Sequence, residues 1–303
     1  AAKSATAKAS SPATPSGGAA AKTKSAGVTA TPTTAAPNAT ATAGGSKHGG
    51  PITIGGDRLP SPPPPSTAVV FTGLAFDTCT APSASKMSAW KASSPYRAAA
   101  VYIGGQNRGC AQPQLTASWV DTVSSAGWKL IPLYVGAQPP CQTSGNPERI
   151  TAANAASLGA ADGADAVSEA KALGMRSSGA IYLDMEAYDT SDTSCVNSVL
   201  TYIQAWDKAL HLHSYWAGFY GFTSSSAAAV AQAEPTVKDM PDALWYARYD
   251  GGNTTTTGFP FASDLWTGHR RGHQYQVNST ETYGGVKLTV DRDAWDAPVA
   301  NVG

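Results

Sequence analysis

From residue 69 to 295 the chain alternates between two hydrophobic patterns. Short, nearly continuous apolar runs occupy 69–79, 98–105, 129–137, 179–188, 215–222, 242–250, 272–278 and 286–295. Between them lie Ala-rich stretches of helical character, such as 116–126, 151–173 and 195–210. Strands that are apolar on both faces and separated by helices predict a parallel sheet with helices packed outside it. Eight such strands within residues 67–303 fit an α/β fold closed as a single (β/α)8 barrel of the TIM type. An open doubly wound sheet would carry a Gly-rich phosphate turn after its first strand, and "FDTCTAPSAS" has none. "ITAANAASLGAADGADAVSEAKALG" (150–174) contains three glycines, each costing a helix about 1 kcal/mol relative to Ala, so a long or interrupted helix is expected there.

Composition divides the chain in two. Residues 1–66 are almost wholly Ala, Ser, Thr, Pro, Gly and Lys and end in "PSPPPPS", whereas all 8 Trp and all 12 Tyr come later. A segment with so little apolar surface cannot offset its ordering entropy, which predicts a disordered Ala/Thr/Pro-rich tail with a stiff polyproline end. The expected division is therefore a low-complexity linker at 1–66 and one folded domain at 67–303.

Charge refines this picture only slightly. The net charge is zero, so nothing global points to nucleic acid. Within the tail, Lys3, Lys8, Lys22, Lys24, Lys47 and Arg58 face Asp57 alone, giving +5 there and −5 on the rest. A basic tail on an acidic domain is compatible with contact with an anionic cell-surface polymer, and also with a soluble tether whose lysines only keep it solvated. No run of eighteen apolar residues is present, so no membrane span is expected. The chain starts at Ala1 without a charged-then-apolar leader, which suggests a signal peptide already removed; a secreted or wall-associated protein is expected.

Two carboxylates in the apolar run "AIYLDMEAY" (180–188) carry the chemical interest, because a buried charge without compensation costs several kcal/mol. Side chains alternate across a strand, so Ile181, Leu183 and Met185 share one face while Tyr182, Asp184, Glu186 and Tyr188 share the other. Asp184 and Glu186 would then stand about 6–7 Å apart at the C-terminal end of the strand, where barrel enzymes place their chemistry. The same alternation turns Asp77 inward at the end of the first run and Asp291 inward in the last. Four carboxylates at one mouth push at least one pKa upward, as a general acid requires. Tyr102, Tyr134, Tyr188, Tyr220, Trp245, Tyr249 and Tyr275 lie at or near strand ends, and aromatic faces beside carboxylates suit a sugar ring.

The segments "GLAFDTCTAPS", "YLDMEAY", "WYARYD", "HQYQ" and "LTVDRDAW" occur in the order found in glycoside hydrolase family 25 lysozymes. The chain resembles more nearly the secreted actinobacterial glycoside-hydrolase-like family called domain of unknown function 1906, through "LAFDTC" and "YIGG". The resemblance covers 69–296. It implies Glu186 as general acid/base and Asp184 as stabiliser of an oxocarbenium-like transition state or orienter of an N-acetyl group. It further implies Asp77 and Asp291 as substrate-binding and pKa-tuning residues. Tyr134, Tyr188, Tyr220, Trp245, Tyr249 and Gln274 are the remaining candidate substrate contacts, and the partner would be a polysaccharide or peptidoglycan-type glycan. The competing expectation is a non-catalytic glycan-binding wall module on the same barrel.

Neither a cofactor nor a metal is expected: His211 and His213 are two apart in a helical stretch, and His269 and His273 flank a loop. No Gly-x-Ser-x-Gly elbow occurs. Four cysteines allow three pairings. Each follows one of the first four strands, and neighbouring strands bring loops one and two together and likewise three and four. Cys79–Cys110 and Cys141–Cys195 are the expected disulfides, favoured by an oxidising compartment.

Overall fold

The apolar runs pair side by side because each buries one face inward and the other under a helix. The structure, a computed structural model, describes residues 63–303. Its elements are β1 (Val70–Asp77), α1 (Ala84–Ser93), β2 (Ala98–Gly104), α2 (Ala117–Ser125) and β3 (Lys129–Tyr134). They continue with α3 (Ala155–Ala172), β4 (Met175–Arg176), β5 (Ala180–Asp184), α4 (Thr193–Leu212) and β6 (Trp216–Phe222). The last are α5 (Ser226–Ala233), β7 (Ala243–Ala247), β8 (Arg271–Tyr283), β9 (Val286–Pro298) and β10 (Asn301–Val302). A closed barrel runs β1-β2-β3-β5-β6-β7-β8-β9, and β4 pairs with β10 separately. The expected disorder of 1–66, and contact of its basic residues with an anionic polymer, concern residues that lie outside the described ones except for 63–66.

The barrel differs from eight parallel repeats in its last quarter. Within the barrel the strands from β1 through β3 and β5 through β8 pair in parallel, but β9 is antiparallel to both β8 and β1. A parallel neighbour needs a crossover of a dozen or more residues, and only two separate β8 from β9. Those two, Gly284 and Gly285, have φ of 55° and 75°, which glycine adopts without strain, and they close a tight hairpin. The segment between β7 and β8 likewise carries no α-helix.

Large aromatics fill the lower interior. Tyr182, Trp245 and Trp295 meet edge-to-face with ring centroids 5.2–6.2 Å apart. Small inward residues such as Ala75, Ala98, Ala100, Ala180 and Ala243 leave room for them. Outside the strands, Phe76, Leu130, Ile181 and Leu183 belong to the second core beneath the helices. α3 runs unbroken over 18 residues despite its glycines. A Cβ at Gly159 would stand 2.2 Å from the Tyr202 carbonyl oxygen, and one at Gly163 would stand 2.9 Å from that of Trp206. Glycine there permits close packing against α4, whose gain offsets the lost propensity. Among the described residues no helix is long and apolar enough to cross a membrane.

Candidate active site

Three inward carboxylates sit where strand alternation puts them. Asp77 closes β1 and pairs in register with Asp291 of β9; Asp184 closes β5 beside Tyr220 of β6. Glu186 does not stand on a strand, because β5 ends at Asp184. It lies two residues beyond, exposed at the rim, while Asp77 is 2% and Asp184 4% exposed.

Hydrogen bonds hold this short irregular segment from both sides. The buried Gln138 amide donates to the Asp184 carbonyl at 2.9 Å and accepts from the Glu186 backbone N–H at 3.0 Å. From the opposite side, Met185 N–H donates to the Tyr220 carbonyl at 3.1 Å, and Ser226 Oγ donates to the Met185 carbonyl at 2.8 Å. Ser225 Oγ both accepts from the Tyr188 N–H and donates to its carbonyl. The backbone that carries both carboxylates is thereby fixed beyond Asp184, where the β5 ladder ends.

Asp184 and Glu186 line a cavity of about 380 Å³ with Tyr102, Asn107, Gln138, Gln142, Ser144 and Asn146. The Cys79–Cys110 and Cys141–Cys195 disulfides form, the first joining the loops after β1 and β2 and the second joining the loop after β3 to the first turn of α4. Cys79 and Cys110 themselves reach the cavity wall, so the first bridge also shapes the cleft. No Lys or Arg is among the residues that line it.

Burial dominates the electrostatics. Asp184 is held well above the ordinary carboxylate range first by loss of solvation, then by Glu186 and Asp77. Glu186 shifts in the same direction through desolvation. Asp77 is pushed up to about 7 by burial and then by Asp291, against the hydrogen bonds it accepts. Those come from Gln274 Nε2 at 2.7 Å and the Tyr102 hydroxyl at 3.4 Å. The Tyr220 hydroxyl donates in turn to Gln274 Oε1 at 2.8 Å. Asp291 is half-buried and raised by desolvation, while its Oδ1 accepts from the Asn278 N–H at 2.6 Å. Among the described residues no group of three or more His, Cys, Asp or Glu is arranged to hold a metal ion.

Several expected contacts take other places. Tyr134 faces the helix layer: alternation turns Leu133 inward, and the Tyr134 hydroxyl donates to Asp165 of α3 at 2.8 Å. Tyr188 is also packed in the outer core, because alternation stops with the strand at Asp184. Trp245 points inward but is 0% exposed, below the mouth, and its Nε1 donates to Asp293 at 2.9 Å. Tyr220 and Gln274 are engaged in the hydrogen-bond chain that ends on Asp77. Tyr249, 51% exposed and edge-on to Phe222, remains open to a ligand and lies within electrostatic reach of Asp77, Asp291 and Glu186. Gln138 and Asp293 were not among the expected site residues.

The fold has relatives among solved structures. An uncharacterized B. stearothermophilus protein superposes with a TM-score of 0.50 at 16% identity, over 74% of this chain and 95% of that one. The modular autolysin LytC from Streptococcus pneumoniae gives 0.49 at 17% identity over 74% of this chain and 46% of its own. The Clostridium perfringens spore cortex lytic enzyme SleM gives 0.47 at 11% identity, over 74% and 67% respectively. No protein with a curated description matches the chain in sequence. The model of the Rv2525c-like, glycoside hydrolase-like domain matches residues 88–295, more than half of the chain, and the chain therefore belongs to that family.

Proposed function

We propose that residues 67–303 form a glycosidase domain, secreted or associated with the cell wall, that cleaves a cell-wall or other microbial polysaccharide by carboxylate acid/base chemistry. The observation that carries this reading is the Asp184–Glu186 pair, whose backbone Gln138 pins at the wall of the cleft. Neighbouring carboxyls resist losing both protons, and both of these are shifted upward, so the pair titrates as a unit around a shared proton. Glu186 is the exposed member, through which that proton can reach a leaving oxygen. The negative charge left on Asp184 then stabilises the positive charge developing on the sugar. Asp77 adds to the burial that raises Asp184, and Asp291 acts in the same direction on Asp77. Tyr249 offers a face for stacking, and two disulfides suit an oxidising exterior.

The full chain should generate new reducing ends from purified peptidoglycan or from chitin-type oligosaccharides, resolved by mass spectrometry. Sedimentation with those glycans and no new reducing end on any of them would leave the non-catalytic binding module standing instead.

Replacing Gln138 tests the pinning. Gln138→Leu orphans the Asp184 carbonyl and the Glu186 N–H, at a cost of about 1–3 kcal/mol in stability. Displacement of the pair by about 1 Å should slow turnover by up to ~10²-fold. Thermal melts and kcat on the same glycan would measure both; unchanged kcat would show that the pair is held by other means.

A further inference from the structure

Alternation along "VDRDAW" turns a fourth carboxyl inward, one that the proposed chemistry does not use. Asp293 lies one inward position below Asp291 on β9, beside Ala75 of β1 and Gln274 of β8. It is 0% exposed. Its Oδ1 accepts from Trp245 Nε1 at 2.9 Å, whereas no donor among the described residues reaches its buried Oδ2. Asp77 stands two residues beyond Ala75 on the same inward face of β1, which makes it the diagonal neighbour of Asp293. Gln274, opposite Asp293 on β8, donates to Asp77, so the two carboxyls come within reach of a hydrogen bond.

Two ionised carboxylates have only acceptors, so that bond requires a proton between them. The surrounding donors decide which partner keeps it. Asp77 accepts from Gln274 and Tyr102, and Asp293 accepts from Trp245 alone. The other titratable groups facing Asp293 are Asp291 on its own strand, Tyr102 on β2 and Tyr275 on β8, none of them a cation. Charge therefore settles on Asp77 and the proton on Asp293.

Resting on the glycosidase reading, we propose that Asp293 is a positioning residue: its carboxyl O–H donates to Asp77 and orients that carboxylate at the mouth. Trp245 fixes Asp293 in turn, which gives the tryptophan a purpose beneath the cleft. The array Trp245–Asp293–Asp77 lets Asp77 bear the negative charge that acts on Asp184, while a buried neutral acid avoids a second charge below it.

The test follows side-chain carboxyl ¹³C signals of Asp in the full-length protein between pH 5 and 8, assigned with Asp293→Asn. In wild type, Asp293 should remain neutral throughout while Asp77 titrates. In Asp293→Asn the amide still donates to Asp77 and accepts from Trp245, so the Asp77 midpoint should stay put. Asp293→Ala removes the donor and should move that midpoint upward. Ionisation of Asp293 before Asp77, or an unmoved midpoint in Asp293→Ala, would overturn the proposal. With a cleaved glycan in hand, Asp293→Ala should lose ~10-fold or more in kcat with KM little changed, and Asp293→Asn should recover most of it; equal losses in both would also overturn it. Should Asp293→Ala fail to fold, the wild-type titration and the Asn variant still decide. Absence of any glycan cleavage would sink the glycosidase reading while leaving the carboxyl titration able to judge Asp293.

Discussion

Glu186→Gln should abolish turnover while leaving the protein folded and able to hold its glycan. The side chain is exposed at the rim, and the hydrogen bond that fixes the residue is made by its backbone N–H to Gln138, which an amide side chain does not disturb. Thermal stability should therefore change by no more than the ~0.5 kcal/mol usual at such surface positions. Glutamine preserves shape and hydrogen bonding but has no proton to deliver. General acid catalysis contributes about 10²–10⁴-fold, so kcat should fall by at least that factor with KM nearly constant. Asp184→Asn should cost a similar factor through lost charge stabilisation, and the two losses should combine to less than their product because the pair titrates as one unit. Parallel measurement of kcat, KM and melting temperature on the three variants separates chemistry from folding. If Glu186→Gln turned over at the wild-type rate, the proton donor would have to be sought elsewhere in the cleft.

The sequence disclosed direction better than depth or range. Alternation placed Asp77, Asp184 and Asp291 inward because each belongs to a ladder in which the period of two is enforced. It misassigned Tyr188, which lies beyond the end of β5, where no period applies. For Trp245 it gave the right face but not the level: the ring sits under the mouth, and how far a strand position lies below solvent depends on the neighbouring loops. The antiparallel ninth strand was readable in "TYGGVK", since two glycines between alternating runs signal a hairpin, but counting apolar runs passes over the connection. Gln138 had no local signature. Its importance comes from bonds to backbone groups 46 and 48 residues away, which only the closed barrel brings near.

Stability should fall as pH rises from 5 to 8, opposite to the behaviour of a protein whose carboxylates are ion-paired. Burial raises the pKa of Asp77 to about 7 and holds Asp184, Asp207 and Asp293 well above the ordinary value of 3.8. In the unfolded chain these groups ionise near 4, so above that pH the folded state binds more protons than the unfolded one. Unfolding then releases protons, and the free energy of unfolding decreases with pH until the folded pKa is passed. For Asp77 the window runs from about 4 to about 7, and a shift of that size corresponds to on the order of 4 kcal/mol. The melting temperature should drop by on the order of 10 °C between pH 5 and pH 8. Asp207 isolates the effect from the cleft. It is fully buried on α4, with no hydrogen-bond donor to either oxygen among the described residues, and the nearby charges of Asp242 and Asp239 raise it further by repulsion. Asp207→Asn removes the group that must ionise, so it should raise the melting temperature at pH 8, change it little at pH 5, and leave glycan cleavage untouched. Circular-dichroism melts of wild type and variant at the two pH values provide the measurement. A wild-type melting temperature that is flat or rises over this range would mean that water or a cation reaches these carboxyls and stabilises them as anions.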